Sequence, residues 1–189
     1  YVWQRCLNVS EIDSTGYHEN TRRDLVDLID FIPETALDIG CAAGGTGAYF
    51  KSKFPGSRVW GIELNQDAAK KAAEKLDFVA SDKFEDIDLD HFGITPGSLD
   101  VVFVADVLEH MYDPWAVMVK LKPYLSDRGR IILSIPNIRY LPLMDDLAHG
   151  YFRYADFGVL DITHLRFFTL KELKRFVVET GYSIKALQY

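Results

Sequence analysis

Apolar side chains recur along this chain in two rhythms. Leu25, Leu28, Ile29 and Ile32 stand three and four residues apart, the spacing of one helix face, and predict a helix over 20–32 that Pro33 ends. Short apolar runs at 36–39, 58–63, 78–80, 130–135 and 183–188 read instead as strands. The run 99–105 is continuously apolar after Asp100, the pattern of a strand covered on both faces. Helical stretches separate these strands. One follows a glycine-rich turn and reaches about Phe54. The next, 66–76, is rich in Ala and Lys and begins behind Asn65, a residue whose side chain can cap the first free N–H groups. Asp113 and Pro114 stand as cap and first residue of a helix running to about Leu125. Thr169 and Glu172 form a capping box ahead of Leu173, Phe176 and Val177, and Gly181 is placed to end that helix. Residues 1–18 show little periodicity. Alternating strands and helices predict an α/β fold, a doubly wound and mostly parallel sheet with right-handed crossovers. In such folds the ligand lies at the carboxyl ends of the strands.

Composition narrows the choice. A chain of 189 residues, 48% apolar and 26% charged, suits one ordinary globular domain. The expected organisation is a single domain over 1–189. It comprises an N-terminal cap region (1–35), a ligand-binding core (36–135), a lid (136–169) and a last helix and strand (170–189). The formal net charge of −7 repels phosphate backbones, so no nucleic-acid partner is expected. No apolar run reaches transmembrane length. Cys6 and Cys41 have no ligand-like spacing and suggest no disulfide framework, which points to a reducing, cytoplasmic setting. The first residue is Tyr1 rather than Met, so the expectation is a piece of a longer protein.

The chemically informative stretch is Leu37-Asp38-Ile39-Gly40-Cys41-Ala42-Ala43-Gly44-Gly45-Thr46-Gly47. A strand ends in an acid, and a glycine turn then enters a helix. Glycine lets backbone approach a ligand closely and takes positive φ. The spacing is neither G-x-G-x-x-G nor the G-K-S/T ending of a P-loop, which disfavours dehydrogenase and nucleoside-triphosphatase readings. Glu63 follows the second strand about twenty residues on, where a carboxylate can accept from both hydroxyls of a ribose or simply face solvent. Asp82, after the third strand, can accept from an adenine amino group, or belong to the acidic loop it shares with Glu85, Asp86, Asp88 and Asp90.

These residues, with the stretch Asp100 to Met111 and its D-V-L-E-H run, resemble class I S-adenosylmethionine-dependent methyltransferases, above all the ubiquinone-biosynthesis O-methyltransferase type. The resemblance covers roughly 17–189. It implies a Rossmann-like fold and S-adenosylmethionine as cofactor, leaving as S-adenosylhomocysteine. It assigns Asp38, Gly40 and Gly44 to the methionine part, Glu63 to the ribose, and Asp82 and Lys83 to the edge of the adenine. Cys41, Ala42 and Leu64 border the same cofactor. Ala105 and Asp106 sit under the methionine portion, and Tyr17 and Arg22 match an upstream pattern that reaches the cofactor carboxylate. Ala42 departs from the family, which usually has a second glycine there. Alanine is small, so the turn is expected to survive with little loss. The family also ends in a sixth and a seventh strand. The residues given stop after the sixth, so the last strand, and further domains such as a glycosyltransferase, are expected beyond them.

Methyl transfer from a sulfonium is a direct displacement, so positioning carries much of the rate, and a hydroxyl acceptor also needs a base. By the resemblance His110 is the leading base, beside Asp106, with packing as its other reading; its ordinary pKa suits proton removal near neutrality. His164 is the second candidate. It lies in Leu160-Asp161-Ile162-Thr163-His164-Leu165-Arg166-Phe167-Phe168-Thr169, which resembles a subgroup found with cell-surface sugar and glycosyltransferase pathways. Asp161 either orients His164 or helps build the lid. The segment 137–160 supplies Tyr140, Tyr151, Phe152, Tyr154 and Phe157, which with Arg166 form an acceptor pocket or pack the lid. Asp106, His110, Asp161 and His164 can gather round a divalent metal, but no spacing demands one and none is expected. The expected acceptor is a sugar or other small hydroxylated molecule. The alternatives are transfer to nitrogen or carbon, and a non-catalytic nucleotide-binding module.

Overall fold

The computed structural model describes residues 21–188, so Tyr17 lies outside the described residues. The chain gathers into two compact units. The first runs to Ala105 and takes in Leu121–Ser134; the second comprises Asp106–Lys120 and the residues from Ile135 on.

The first unit is a five-stranded sheet with helices between its strands. Its elements are α1 (Arg23–Val26), β1 (Thr35–Ile39), α2 (Gly45–Lys53), β2 (Arg58–Ile62), α3 (Gln66–Ala73), β3 (Phe78–Ala80), β4 (Leu99–Ala105) and β5 (Leu125–Ser134). The strand order is β3-β2-β1-β4-β5 and every pairing is parallel. The chain therefore leaves β1 in one direction and restarts from its other side with β4. The carboxyl ends of β1 and β4 flank the crevice that this reversal opens. All five residues of β1 are buried, as are the first six of β4, which is why both strands are mostly apolar, with Asp38 and Asp100 as buried exceptions. Phe50 of α2 meets Phe103 of β4 edge-on, ring centres 5.8 Å apart, and both are fully buried.

Glycine brings α2 onto the sheet. A Cβ on Gly47 would come within 2.6 Å of Leu76, and one on Gly61 of β2 within 2.7 Å of both Leu76 and the Cys41 sulfur. Neither distance is tolerable between carbon atoms in van der Waals contact.

Several elements differ in extent from the sequence expectation. The first helix shrinks from 20–32 to four residues. Asp27 makes the last i→i−4 bond, and Leu28 and Ile29 turn back three residues instead. Of the four spaced apolar residues Leu25 and Ile29 are buried and Leu28 is half-buried, but Ile32 is 77% exposed, so the spacing reported burial only as far as Ile29. Asn65 caps α3 as expected, its side chain accepting from the N–H groups of Asp67 and Ala68, but the helix ends at Ala73, past which Lys75 turns back three residues to Ala72. The fifth strand begins five residues early. The register shifts between Leu99 and Val101, and the Asp100 carboxylate takes bonds from Ser126 and Arg128, holding that segment alongside.

The second unit contains the short turn Leu108–His110 and the helices α4 (Pro114–Leu121, all but its last residue), α5 (Leu141–Ala148) and α6 (Leu170–Glu179). Asp113 Oδ1 accepts from the Ala116 N–H, the cap expected there. The helix stops at Leu121 instead of Leu125, since Pro123 has no N–H to continue it. Thr169 Oγ1 accepts from Glu172 N at 3.2 Å. At the far end of α6, Gly181 has φ +85°, and the N–H groups of Gly181 and Tyr182 return to Val178 and Val177, a Schellman closure. Trp115, Phe168 and Phe176 pack their rings at 5.1–6.1 Å to join α4 and α6.

The expected sixth strand over 183–188 does not form among the described residues. Its residues alternate suitably, but a strand exists only when a neighbour completes its ladder, and none is paired here.

Candidate functional site

Two groups of residues carry the chemistry, one in each unit. In the first unit the glycine turn is fixed to the end of β2. Gly40 and Cys41 both donate to the Ile62 carbonyl at 2.8 and 3.1 Å, and Gly44 donates to Cys41. Lys75 Nζ holds the Ala43 carbonyl at 2.6 Å. Gly40 and Gly44 take φ of +71° and +75°, the conformations that glycine serves without strain. Ala42 also lies in the left-handed region, at φ +48°. The turn has thus kept the backbone shape that a second glycine would allow, at a steric cost of about 1 kcal/mol. The expectation that it survives the alanine holds.

The two strand-end acids lie against this turn. Glu63 is buried, and its Oε2 accepts from Ala42 N at 2.8 Å while Oε1 accepts from Asn65 N at 2.8 Å. Each carboxylate oxygen keeps a second lone-pair direction for a ligand hydroxyl. Asp38 is only 3% exposed, and its Oδ2 has no hydrogen-bond partner among the described residues. Burial, and then the charge of Glu63, push its carboxyl up to about 7. A buried carboxylate lacking a donor marks a place that a cation or an N–H donor would complete.

The other residues expected here are distributed as follows. The Cys41 side chain is buried in the core, its thiol pushed well above its ordinary range by burial, so only its backbone belongs to the turn. Leu64 is exposed, and so are Asp82 and Lys83, with Asp82 accepting from the Lys83 N–H. Arg22 ties three segments of this unit together. Its backbone N–H bonds to Thr46 in the first turn of α2, its Nη1 to Ser134 at the end of β5 (2.8 Å), and its guanidinium to Asp24. Ala105 ends β4.

In the second unit Asp106 has φ +53°, a strained conformation that Asp tolerates better than most residues. The turn that follows brings Glu109 and His110 to the segment 159–166. Leu165 and Arg166 both donate to the Glu109 carbonyl, at 2.7 and 2.9 Å. The rings of His110 and His164 meet edge-on with centres 4.7 Å apart, and His164 Nε2 stands 4.0 Å from Glu109 Oε1. Each imidazole is held from behind. His164 Nδ1 bonds to the Val159 carbonyl at 3.1 Å. His110 Nδ1 lies 3.0 Å from Thr163 Oγ1, whose own hydroxyl donates to Asp161 at 2.6 Å, so the hydroxyl accepts from the ring. In the neutral form of each ring Nε2 then carries the lone pair. Burial, then the neighbouring His164, hold His110 below its ordinary pKa, which keeps it neutral and basic near pH 7.

Asp161 therefore orients His110 through Thr163, not His164. An Asx turn explains it, since Asp161 Oδ1 takes the N–H as well as the hydroxyl of the residue two ahead. Glu109 is the residue that sequence reasoning named only as part of a motif. It is 1% exposed, with neither oxygen hydrogen-bonded among the described residues, and burial pushes it up to about 8. An acid directly before the candidate base, in an otherwise apolar turn, was the signal available. Arg166 clamps the loop, donating to the carbonyls of Leu165 and Tyr112. Tyr140 and Tyr154 are exposed, as are Tyr151, Phe152 and Phe157.

Residues 37–131 match the methyltransferase domain family model. A 37.1 kDa protein of a Streptomyces fradiae transposon is 26% identical over 131 residues, 68% of this chain and 38% of its own. A ubiquinone biosynthesis O-methyltransferase of Psychrobacter arcticus is 28% identical over 78% of this chain and 58% of its own, and phosphoethanolamine N-methyltransferase 3 of Arabidopsis thaliana is 28% identical over 64% and 25%. The chain thus spans between a quarter and three-fifths of the length of these relatives. Among solved structures, a SAM-dependent methyltransferase of Thermotoga maritima superposes with TM-score 0.65 at 16% identity, over 97% of this chain and 81% of that one. The plantazolicin methyltransferase in complex with SAH gives 0.61 at 18%, over 87% and 59%.

Proposed function

The chain belongs to the methyltransferase domain family, in its class I, S-adenosylmethionine-dependent form, and from that membership we propose that it moves a methyl group to an oxygen of a small hydroxylated acceptor, a sugar first of all. No helix among the described residues is long and apolar enough to cross a membrane. The observation that carries the reading is the pair of buried strand-end acids against a bare-backbone turn, Asp38 with an oxygen left over and Glu63 with unused lone pairs.

Those residues fit the cofactor. Glu63 would hold the ribose hydroxyls, the turn from Gly40 to Gly44 would lie along the methionine part, and Asp38 would answer its ammonium, the donor that Asp38 lacks. S-adenosylmethionine, when bound, supplies an electrophilic methyl on a sulfonium. The protein's remaining task is to orient the acceptor and take its proton. His110 serves the second need: it is neutral, its Nδ1 is fixed by Thr163 and Asp161, and its Nε2 is free to accept. The exposed rings of the 151–157 segment, Phe152 and Tyr154 edge-on at 5.4 Å, support a sugar, whose C–H faces stack on aromatic surfaces. The likeness to O- and N-methyltransferases leaves a nitrogen or carbon acceptor as the second reading, to be separated by product analysis.

The test is calorimetry with S-adenosylmethionine, followed by a panel of sugars, phenols and amines with product mass. His110→Ala is expected to keep cofactor affinity and to lose about 10²- to 10⁴-fold in turnover on a hydroxyl acceptor. Undiminished turnover would remove the role of His110, and methylation of amines alone would replace the acceptor class.

A further inference from the structure

The second unit holds a cluster that the methyl-transfer reading uses only in part. Glu109, His110 and His164 each offer one ligand atom, and these atoms all lie within 4.8 Å of one another. We propose that the three residues form a binding site for a divalent transition-metal ion, with positions left open for two neighbouring oxygens of the acceptor.

Four observations carry this. First, the donors are of the right kind. Two neutral imidazoles and one carboxylate are a set used by zinc and non-haem iron enzymes, whereas magnesium and calcium prefer all-oxygen cages. Second, the lone pairs point the right way. The Nδ1 atoms are occupied by the Val159 carbonyl and by the Thr163–Asp161 relay, so each ring offers Nε2. A histidine tethered through its second nitrogen to a carbonyl or a carboxylate relay is the usual outer support of a metal ligand. Third, Glu109 lacks a counter-charge. It is 1% exposed with both oxygens unpartnered among the described residues, and it faces the like charges of Asp106 and Asp161. Ionising a carboxyl so placed costs several kcal/mol, so it keeps its proton until a cation displaces it. His164 Nε2 stands 4.0 Å from Glu109 Oε1, too long for a hydrogen bond. Fourth, the fit needs little motion. Ligand bonds of about 2.1 Å in tetrahedral array set donor atoms about 3.4 Å apart, so the cluster closes by roughly an ångström. The ligand backbone is braced for this by the two N–H bonds to the Glu109 carbonyl.

Three protein ligands leave open positions, the mark of a reactive rather than a structural site. Resting on the methyltransferase reading, the ion would take two adjacent hydroxyls, and this favours a sugar diol or catechol over a lone alcohol or an amine. It would acidify the hydroxyl it binds, whose proton would then pass to bulk water. The His110 lone pair is then committed to the ion, and imidazole removes the proton only in the metal-free protein.

The experiment uses the protein stripped with a chelator and dialysed. Titration calorimetry and elemental analysis with Zn²⁺, Mn²⁺ and Mg²⁺ salts are expected to give one ion per chain, with Zn²⁺ tighter than Mn²⁺ and Mg²⁺ weakest. Co²⁺ is expected to bind with the intense visible absorption of a four- or five-coordinate centre. Glu109→Gln and His164→Ala should abolish the stoichiometric ion. Thr163→Val, which leaves the ligands but loosens His110, should weaken binding about 10- to 100-fold. S-adenosylmethionine affinity is read in the same samples and should be unchanged in Glu109→Gln. Its failure would count against the cofactor site, while metal binding would still decide the present proposal. The proposal is overturned if none of the ions binds stoichiometrically below millimolar concentration, or if Glu109→Gln and His164→Ala bind Zn²⁺ like the parent protein.

Discussion

Asp38 offers the sharpest test of the cofactor site because its charge opposes the fold that holds it. Burial, with Glu63 beside it, moves its carboxyl from an ordinary 3.8 up to about 7. Each tenfold change in proton affinity is worth about 1.4 kcal/mol. The ionised carboxyl is therefore up to about 4 kcal/mol less favourable in the folded chain than in the unfolded one. A raised acid pKa has a definite sign. The folded chain keeps its full stability below about pH 4, loses it as pH rises towards 7, and loses nothing further from this group above that. Asp38→Asn keeps the shape and removes the charge. Its stability relative to the parent should climb between pH 5 and pH 8 by about 2.5 kcal/mol, the part of the full penalty that falls in that window, whatever constant offset its amide introduces. Urea denaturation followed by tryptophan fluorescence at four pH values measures this. Equal differences between variant and parent at pH 5 and pH 8 would refute the reasoning. The same variant should bind S-adenosylmethionine more weakly, since the oxygen meant for the cofactor ammonium has lost its charge.

The other predictions concern the same turn. Glu63→Ala leaves the Ala42 and Asn65 N–H groups without their acceptor and removes the ribose contact; calorimetry should show cofactor affinity falling at least tenfold, and unchanged affinity would sink that assignment. Gly61→Ala should destabilise by about 1–3 kcal/mol in denaturant titration, because its Cβ would press on Cys41 and Leu76 at 2.7 Å. Ala42→Gly should lie within about 0.5 kcal/mol of the parent, since relief of the left-handed strain is offset by a freer unfolded chain. Ala42→Val should instead lose about 2 kcal/mol or more; equal stability of the two variants would show that the +48° φ is not enforced.

Much of the fold follows from local chemistry and was legible residue by residue. The apolar runs of β1 and β4, the Asn65, Asp113 and Thr169 caps, Gly181 at the end of α6 and the acids at 38 and 63 each announce themselves within a few positions. Short-range sterics and capping bonds decide such features, and both are written in adjacent residues. Where pairing or long-range contact decides, the sequence was silent. Residues 183–188 alternate like a strand but have no partner, while β5 starts early because Asp100, from a distant segment, holds Ser126 and Arg128. The same holds for the candidate chemistry. That Asp161 serves His110 rather than its neighbour His164, and that the Glu109 carboxyl lies unpartnered beside the two imidazoles, depends on a turn meeting a loop more than fifty residues away. Hydrogen-bond partners and burial are properties of that meeting, so only the tertiary structure could assign them.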